Sequence, residues 1–221
     1  MLTGPEYNSK IIKVLNANGI ETDEAQGRSD EFISSIRDSA RGEVINQMYL
    51  LNRAVSPAFY QEMYVQEGDY VPVGDCIYQF ACPHPMYRLD GQPWVEWIGG
   101  SDWSVPSASF RVASSRKELI DKSTHHILGR KTLVRAYYDN AMGYWWVYSN
   151  KATVNFSVRQ IFASPYDVPG FNRDKDPYPF PSDQDNRLMD AIIRMYYRIL
   201  QGPSDSTSNS RNDAQLNPPR R

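Results

Sequence analysis

The 221-residue sequence predicts an α+β fold in which a helical body carries an antiparallel β-rich insertion. Near both ends of the chain, apolar residues recur every three or four positions, which is the spacing of amphipathic helices. Between Phe59 and Phe162, short runs of β-branched and aromatic residues alternate with turn residues, as strands do. We therefore divide the chain into an N-terminal helical part of the body (1–55), a β-rich insertion (56–163), a proline-rich extended arm (164–181), a C-terminal helix packing on the body (182–202) and a polar C-terminal tail (203–221).

The N-terminal part predicts two helices. The first follows a capping box that joins Thr3 to Glu6, and Gly19 ends it. The second begins after Ser29 and runs to about Arg53. Its apolar stripe consists of Ile33, Ile36, Ala40, Val44, Met48 and Leu51. The polar residues between them are expected to face mostly water, and they are Arg37, Asp38, Arg41, Glu43 and Asn46.

The insertion predicts several short strands and one short helix. The strands are expected at residues 60–65, 70–73, 77–80, 94–98, 132–138, 144–148 and 153–162. The loop at residues 139–143 contains Asn and Gly, which suit a hairpin. A second capping-box pattern, from Ser115 to Glu118, predicts a helix that ends near Lys122.

Five prolines between Ser164 and Ser182 exclude a helix or an interior strand there, so we expect an extended arm or an ordered loop. The C-terminal helix that follows begins with Ser182 and Asp185 as a capping box, and Gly202 and Pro203 end it. More than half of its circumference is apolar, with Leu188, Met189, Ile192, Ile193, Met195, Tyr196, Tyr197, Ile199 and Leu200. Such a helix must be buried on two sides, either inside a helical bundle or at a subunit interface.

Composition excludes several classes of protein. Lys and Arg total 24 against 26 Asp and Glu, and a net charge of −2 argues against a nucleic acid or an anionic membrane as a general partner. No apolar run approaches the roughly 20 residues of a membrane span, and the first residues do not resemble a signal peptide. Aromatic residues make up 13% of the chain, which favours a protein that binds other proteins.

One group of residues suggests a metal site. Cys76, Cys82 and His84 lie close in sequence, and His125 or His126 would have to supply a fourth ligand. Because this spacing is not typical of structural zinc, we favour two small buried thiols and a surface histidine, with no metal and no cofactor. The sequence contains no recognisable nucleophile or phosphate-binding motif, so we expect no enzyme; a small hydrolase using one of the three histidines is the alternative.

All five tryptophans, Trp94, Trp97, Trp103, Trp145 and Trp146, lie in the insertion. Neighbouring residues of a strand point to opposite faces, so one ring of the Trp145–Trp146 pair can be core while the other lies outside. Ordinary sheet packing is the favoured interpretation for most of the five. An exposed ring would instead suit a carbohydrate- or receptor-binding module, which is the alternative function.

The run from Val158 to Pro169, VRQIFASPYDVP, resembles a strand-to-arm segment in neck proteins of tailed bacteriophages, especially crAss-like podoviruses. The order that follows is also similar to that family: Tyr178-Pro179-Phe180-Pro181, a long helix, then Pro203-Ser204-Asp205 and an ending rich in Asn and Ser. The resemblance is clearest over residues 153–213 and rests on order and composition.

The resemblance implies a structural virion protein, a neck ring or portal adaptor that joins head to tail. Such proteins typically form a closed ring of twelve copies, made in the host cytoplasm, with genomic DNA passing through the lumen. Its partners would be itself, the portal protein and neighbouring tail or ring proteins. The tail would bind the portal through Asn217, Pro218, Pro219, Arg220 and Arg221. The lateral interface of the ring would include Met189, Ile193, Tyr196, Tyr197, Trp145 and Trp146.

Overall fold

Residues 2–20, 30–52, 54–100, 108–123, 132–149 and 155–201 are described by a computed structural model. Its fold is α+β, as predicted. The helices are α1 (Gly4–Ala17), α2 (Asp30–Asn52), α3 (Arg116–Ser123) and α4 (Asp185–Gln201). The strands are β1 (Gln61–Val65), β2 (Tyr70–Gly74), β3 (Ile77–Ala81), β4 (Val95–Gly100), β5 (Ala108–Val112), β6 (Thr132–Asp139), β7 (Tyr144–Ser149) and β8 (Phe156–Gln160).

Helix α1 has the start and the end that its sequence predicts. The backbone N–H of Thr3 donates to Oε2 of Glu6 at 2.7 Å, which satisfies a group that the helix itself leaves unpaired. At the other end Gly19 has φ +71, and the N–H of Ile20 donates to the carbonyl of Leu15 at 3.1 Å. A left-handed residue at this position favours glycine, so the chain turns out of the helix here.

Helices α1, α2 and α4 pack together around one apolar core. The core includes Tyr7, Ile11 and Leu15 of α1, Ile33, Ile36, Ala40, Val44 and Met48 of α2, and Leu188, Ala191, Ile192 and Tyr196 of α4. Met48 is the last residue of the predicted α2 stripe in this core. Leu51, one turn further, is 71% exposed, so the prediction that the stripe continues to Leu51 is wrong.

The strands form two sheets around a second core. The three-stranded sheet has the order β1-β8-β4, and the five-stranded sheet has the order β2-β3-β7-β6-β5. Buried side chains of both sheets meet in one cluster, which includes Met63, Val158 and Phe156 from the first and Phe80, Val147 and Trp145 from the second. The β-rich part is therefore built on its own core, beside the helical one.

One strand pairing differs from the predicted antiparallel arrangement. Strand β5, which was not predicted, pairs in parallel with β6, with Phe110 opposite Val134. A parallel partner needs a crossover connection, and the chain between β5 and β6 contains the short helix α3. The other pairings among the described strands are antiparallel.

The proline-rich segment is packed against the body, which agrees with an ordered loop rather than an extended arm, the two alternatives that its prolines left open. It contains a 3-10 turn at Pro165–Asp167, and a second 3-10 turn, Ser182–Gln184, leads into α4. Tyr178, Pro179, Phe180 and Pro181 are buried. Asp185 was expected to cap α4 with Ser182. Its carboxylate instead accepts from the Tyr7 hydroxyl at 2.6 Å and from Lys10 Nζ at 2.7 Å, which ties α4 to α1.

Arg41 of α2 was expected to face water and is instead fully buried, with 0% of its surface exposed. Its guanidinium donates to three backbone carbonyls: to Phe162 at 2.9 Å, to Phe59 at 3.2 Å and to Pro179 at 3.3 Å. These carbonyls follow β8, precede β1 and belong to the proline-rich segment. One cation therefore joins the helical body to the sheet and to that segment.

Arg37, one turn before Arg41, is likewise fully buried, against the prediction. Its Nη1 donates to the Gly4 carbonyl at 2.9 Å and to Asn8 Oδ1 at 2.7 Å, and its Nη2 donates to the Tyr166 hydroxyl. The guanidinium also stacks 4.3 Å from the centre of the Tyr178 ring. Buried cations are tolerated only with such partners, which explains why so many elements converge on α2.

Candidate interaction surfaces

The four residues of α4 predicted at a lateral interface divide into two pairs. Met189 and Tyr196 are 7% and 1% exposed, within the core shared with α1 and α2. Ile193 is half-buried, and Tyr197 is 42% exposed. The bundle therefore covers most of the wide apolar surface of α4 within one chain. Met189 and Tyr196 are packed inside this conformation, and only Ile193 and Tyr197 are accessible to a neighbour.

The two tryptophans predicted at the same interface point to opposite faces of β7, as strand geometry requires. Trp145 lies in the core between the sheets with 0% exposure, and its Nε1 donates to Gln160 Oε1 at 3.1 Å. Trp146 is 8% exposed and lies beneath the Arg116 guanidinium, which is 3.8 Å from its ring centre. Both rings are core, so their assignment to a lateral interface is wrong in this conformation.

The same burial weakens the carbohydrate-binding alternative, which needs an accessible ring. Trp94 and Trp97 are 3% and 6% exposed, so neither offers a flat face to a sugar. Trp103 lies outside the described residues. Trp97, Trp145 and Trp146 pack against the sheets, whereas Trp94 packs in the helical core with its ring 5.0 Å from that of Tyr49.

A first accessible apolar surface lies between α2 and α4, and we call it the helix groove. It is a cavity of about 330 Å³ lined by Phe32, Ile36, Met195 and Ile199, with Ser35, Ser39 and Arg198 at its margin. Ile199 is 52% exposed, although the sequence places it on the buried stripe of α4. The apolar stripe of the helix thus extends beyond the bundle and is left open to solvent.

A second accessible apolar surface lies on β2, at one edge of the five-stranded sheet, and we call it the β2 edge. Val71 and Val73 are 59% and 41% exposed on this strand. Pro72 lies between them, and the register to β3 shifts between Pro72 and Gly74. Proline and an irregular register hinder uncontrolled pairing of an edge with another strand, so side chains rather than the backbone dominate this surface.

The cysteines and His84 are not brought together. Cys76 is exposed before β3 and Cys82 is buried after it, so the five residues of this extended strand separate them by about 20 Å. His84 Nδ1 lies 3.2 Å from the Tyr138 hydroxyl, and His125 and His126 lie outside the described residues. Within the described ranges, no group of three or more His, Cys, Asp or Glu side chains is arranged to hold a metal ion.

The two thiols are expected to differ strongly in reactivity. Burial raises the pKa of Cys82 to about 12, so its thiol stays neutral in the folded protein. Titration with a disulfide reagent at pH 8 should modify Cys76 rapidly and Cys82 only after unfolding. An unfolded cysteine ionises near pH 9, so the contribution of Cys82 to stability is complete below that pH and falls as the pH rises towards 12. Two equally fast thiols in folded protein would contradict this placement.

A cavity of about 650 Å³, which the sequence did not predict, lies between α2 and the proline-rich segment. Its charged side chains are Glu31, Asp38, Asp167 and Arg173, and Arg173 donates to Ser34 Oγ at 3.0 Å. The Asp38 carboxylate accepts from the Tyr178 hydroxyl at 2.6 Å, so it is already used in the network around Arg37. The cavity is therefore lined by both acidic and basic side chains, and it lies where α2 meets the proline-rich segment.

The predicted portal-binding residues, from Asn217 to Arg221, lie outside the described residues. None of the described helices is long and apolar enough to cross a membrane.

No protein-family model matches this sequence, and no curated protein matches it.

Proposed function

We propose that this chain is a structural virion protein that forms a closed ring in the neck of a tailed phage, between the portal and the tail. Genomic DNA passes through the lumen of the ring without specific binding. The role is structural rather than catalytic and calls for no cofactor. The protein is made in the host cytoplasm and ends in the virion, where its partners are further copies of itself, the portal and adjoining tail or ring proteins.

The observation that carries the proposal is the presence of two different accessible apolar surfaces on one subunit. The helix groove lies between α2 and α4, and the β2 edge lies on the five-stranded sheet. A ring is built from head-to-tail contacts, in which one patch of each subunit meets a different patch of the next. A chain with two unlike patches meets this requirement, whereas a two-fold dimer needs only one.

The remaining sequence features agree with such an assembly. With a net charge of −2 the subunit offers little electrostatic attraction to DNA phosphates, which suits a lumen through which DNA passes without binding. The helices and the sheets give each subunit a body with packed apolar cores. We propose that Asn217 to Arg221 bind the portal, so that deleting residues 202–221 weakens portal binding while the body stays folded.

The proposal is tested by light scattering after size separation, with the full chain alone and mixed with the portal protein of the same genome. We expect a complex of many copies when portal is present. Ile199→Asp, which puts a charge in the helix groove, should reduce ring formation at least tenfold. Ile120→Asp on α3, where the isoleucine is 41% exposed, is the matched control and should assemble normally. A protein that stays monomeric and does not bind the portal protein at high concentration would rule the proposal out.

A further inference from the structure

A groove of about 470 Å³ lies between β1 and the proline-rich segment. Tyr60, Glu62 and Tyr64 form one wall, at alternate positions along the extended chain and therefore on one face. Phe171 and Asp176 lie on the opposite wall, together with Pro169 and Pro177. We call this site the arm groove.

The arm groove combines aromatic surface with negative charge. Tyr64 is 63% exposed, and Tyr60 and Phe171 are half-buried, so three rings are accessible. Glu62 and Asp176 add two carboxylates, each of which already accepts one hydrogen bond within the chain, from the Ser157 hydroxyl and from the Asn172 N–H at 2.6 Å respectively, and keeps lone pairs for a further donor. Arg159, which lies opposite Glu62 in the register, forms its ion pair with Glu96 at 2.7 Å. Aromatic grooves bind extended proline-containing segments, because such segments are already ordered as a polyproline helix, and carboxylates favour arginine beside the prolines.

The chain itself contains a segment of this chemistry, Asn217-Pro218-Pro219-Arg220-Arg221, beyond the described residues. The 15 residues between Gln201 and Asn217 can span about 50 Å when extended. Helix α4, with 17 residues, is about 25 Å long, and the arm groove adjoins Pro177 and Pro179, shortly before its start. The segment can therefore return along α4 to the groove, and tethering gives it a local concentration of about a millimolar.

We propose that residues 217–221 dock in the arm groove of the same chain, with the prolines against Tyr60, Tyr64 and Phe171 and the arginines beside Glu62 and Asp176. The consequence for assembly rests on the proposed function: a docked segment is withheld from the portal, so the portal competes with the groove for it. The docking itself needs no other protein.

The test is the backbone amide NMR of the full chain, recorded at several protein concentrations. We expect the heteronuclear NOE of Leu216, Asn217, Arg220 and Arg221 to have the values of an ordered segment, independent of concentration. The double variant Glu62→Gln, Asp176→Asn should reduce the ratio of docked to free segment about fivefold. Asp174→Asn removes an exposed carboxylate that does not line the groove, and it should leave the ratio unchanged.

Low NOE values in the unaltered chain, or an equal effect of the Asp174 variant, would overturn the proposal. Order that appears only as the concentration rises would assign the groove to a second copy and overturn it as well. The portal assay separates this inference from the proposed function. If residues 217–221 dock but the chain does not bind the portal, the groove assignment is supported and the neck-ring role is overturned. If the chain binds the portal but residues 217–221 do not dock, the neck-ring role is supported and the groove assignment is overturned.

Discussion

Replacement of Arg41 by methionine is expected to lower the free energy of unfolding by about 3 kcal/mol. The substitution leaves the carbonyls of Phe59, Phe162 and Pro179 without their donor, inside a part of the molecule that excludes water. Methionine fills much of the same volume, so lost hydrogen bonds rather than a cavity account for the effect. Urea unfolding followed by circular dichroism measures it as a lower midpoint.

Two further variants make this result specific. Arg41→Lys keeps the charge but cannot donate to three carbonyls at once, so it should also destabilise the fold, because lysine is no substitute for a forked donor. Arg194→Met removes an exposed arginine of α4 that pairs with Glu43 at 3.0 Å, and it should cost less than about 1 kcal/mol. Equal stability of the Arg41→Met and Arg194→Met proteins would show that Arg41 does not join the helices to the sheet.

Trp145→Ala is expected to cost about 3–5 kcal/mol, the usual range for emptying a buried tryptophan site. The ring is fully buried between the sheets and donates to Gln160, which is itself fully buried and donates to the carbonyl of Pro83 at 3.2 Å. The alanine variant therefore loses both packing and a buried hydrogen bond. The same urea titration measures the loss.

Tyr64→Ala is the matched control, because Tyr64 is an aromatic residue of the same β-rich part with 63% exposure. We expect it to change the unfolding free energy by less than about 0.5 kcal/mol. A Trp145→Ala protein that keeps its stability and loses binding to a glycan would contradict this account. That outcome would restore the carbohydrate-binding alternative.

The buried arginines show where sequence reasoning about α2 failed. Arg37 and Arg41 follow Ile33 at intervals of four, so helical periodicity places them on the same face as the apolar stripe. The expectation that they face water came from their charge alone. The sequence does not show which groups will pair with the two guanidinium groups. The carbonyls and rings that do so come from residues 4–8, 59 and 162–179, most of them far from α2 along the chain.

Local signals predicted most of the secondary structure. The capping box of Thr3 and Glu6, the left-handed Gly19 and the hairpin loop before Gly143 each act through neighbouring residues, so the sequence displays them directly. Strand β5 was not predicted, although with five residues it is as long as β1, β2, β3 and β8, and its parallel pairing with β6 depends on the α3 crossover. Partners that are distant in the chain leave no periodic signal.

The surfaces were harder to predict than the elements. The breadth of the apolar face of α4 predicted burial on two sides, either inside a bundle or at a subunit interface. Leu188, Ile192 and Tyr196 are buried inside the bundle, whereas Ile199 lies in the accessible helix groove. Which part of an apolar face remains free depends on where the neighbouring helix lies, and the sequence of α4 does not contain that information.

The central claim is that this chain closes into a ring on the portal. Electron microscopy of the purified full chain mixed with the portal protein of the same genome tests it most directly, because an averaged image shows assembly and symmetry together. We predict a ring of about twelve copies stacked coaxially on the portal, and its loss in the Ile199→Asp variant but not in Ile120→Asp. Portal particles without added density at either end, at concentrations where the chain is folded, would contradict the claim.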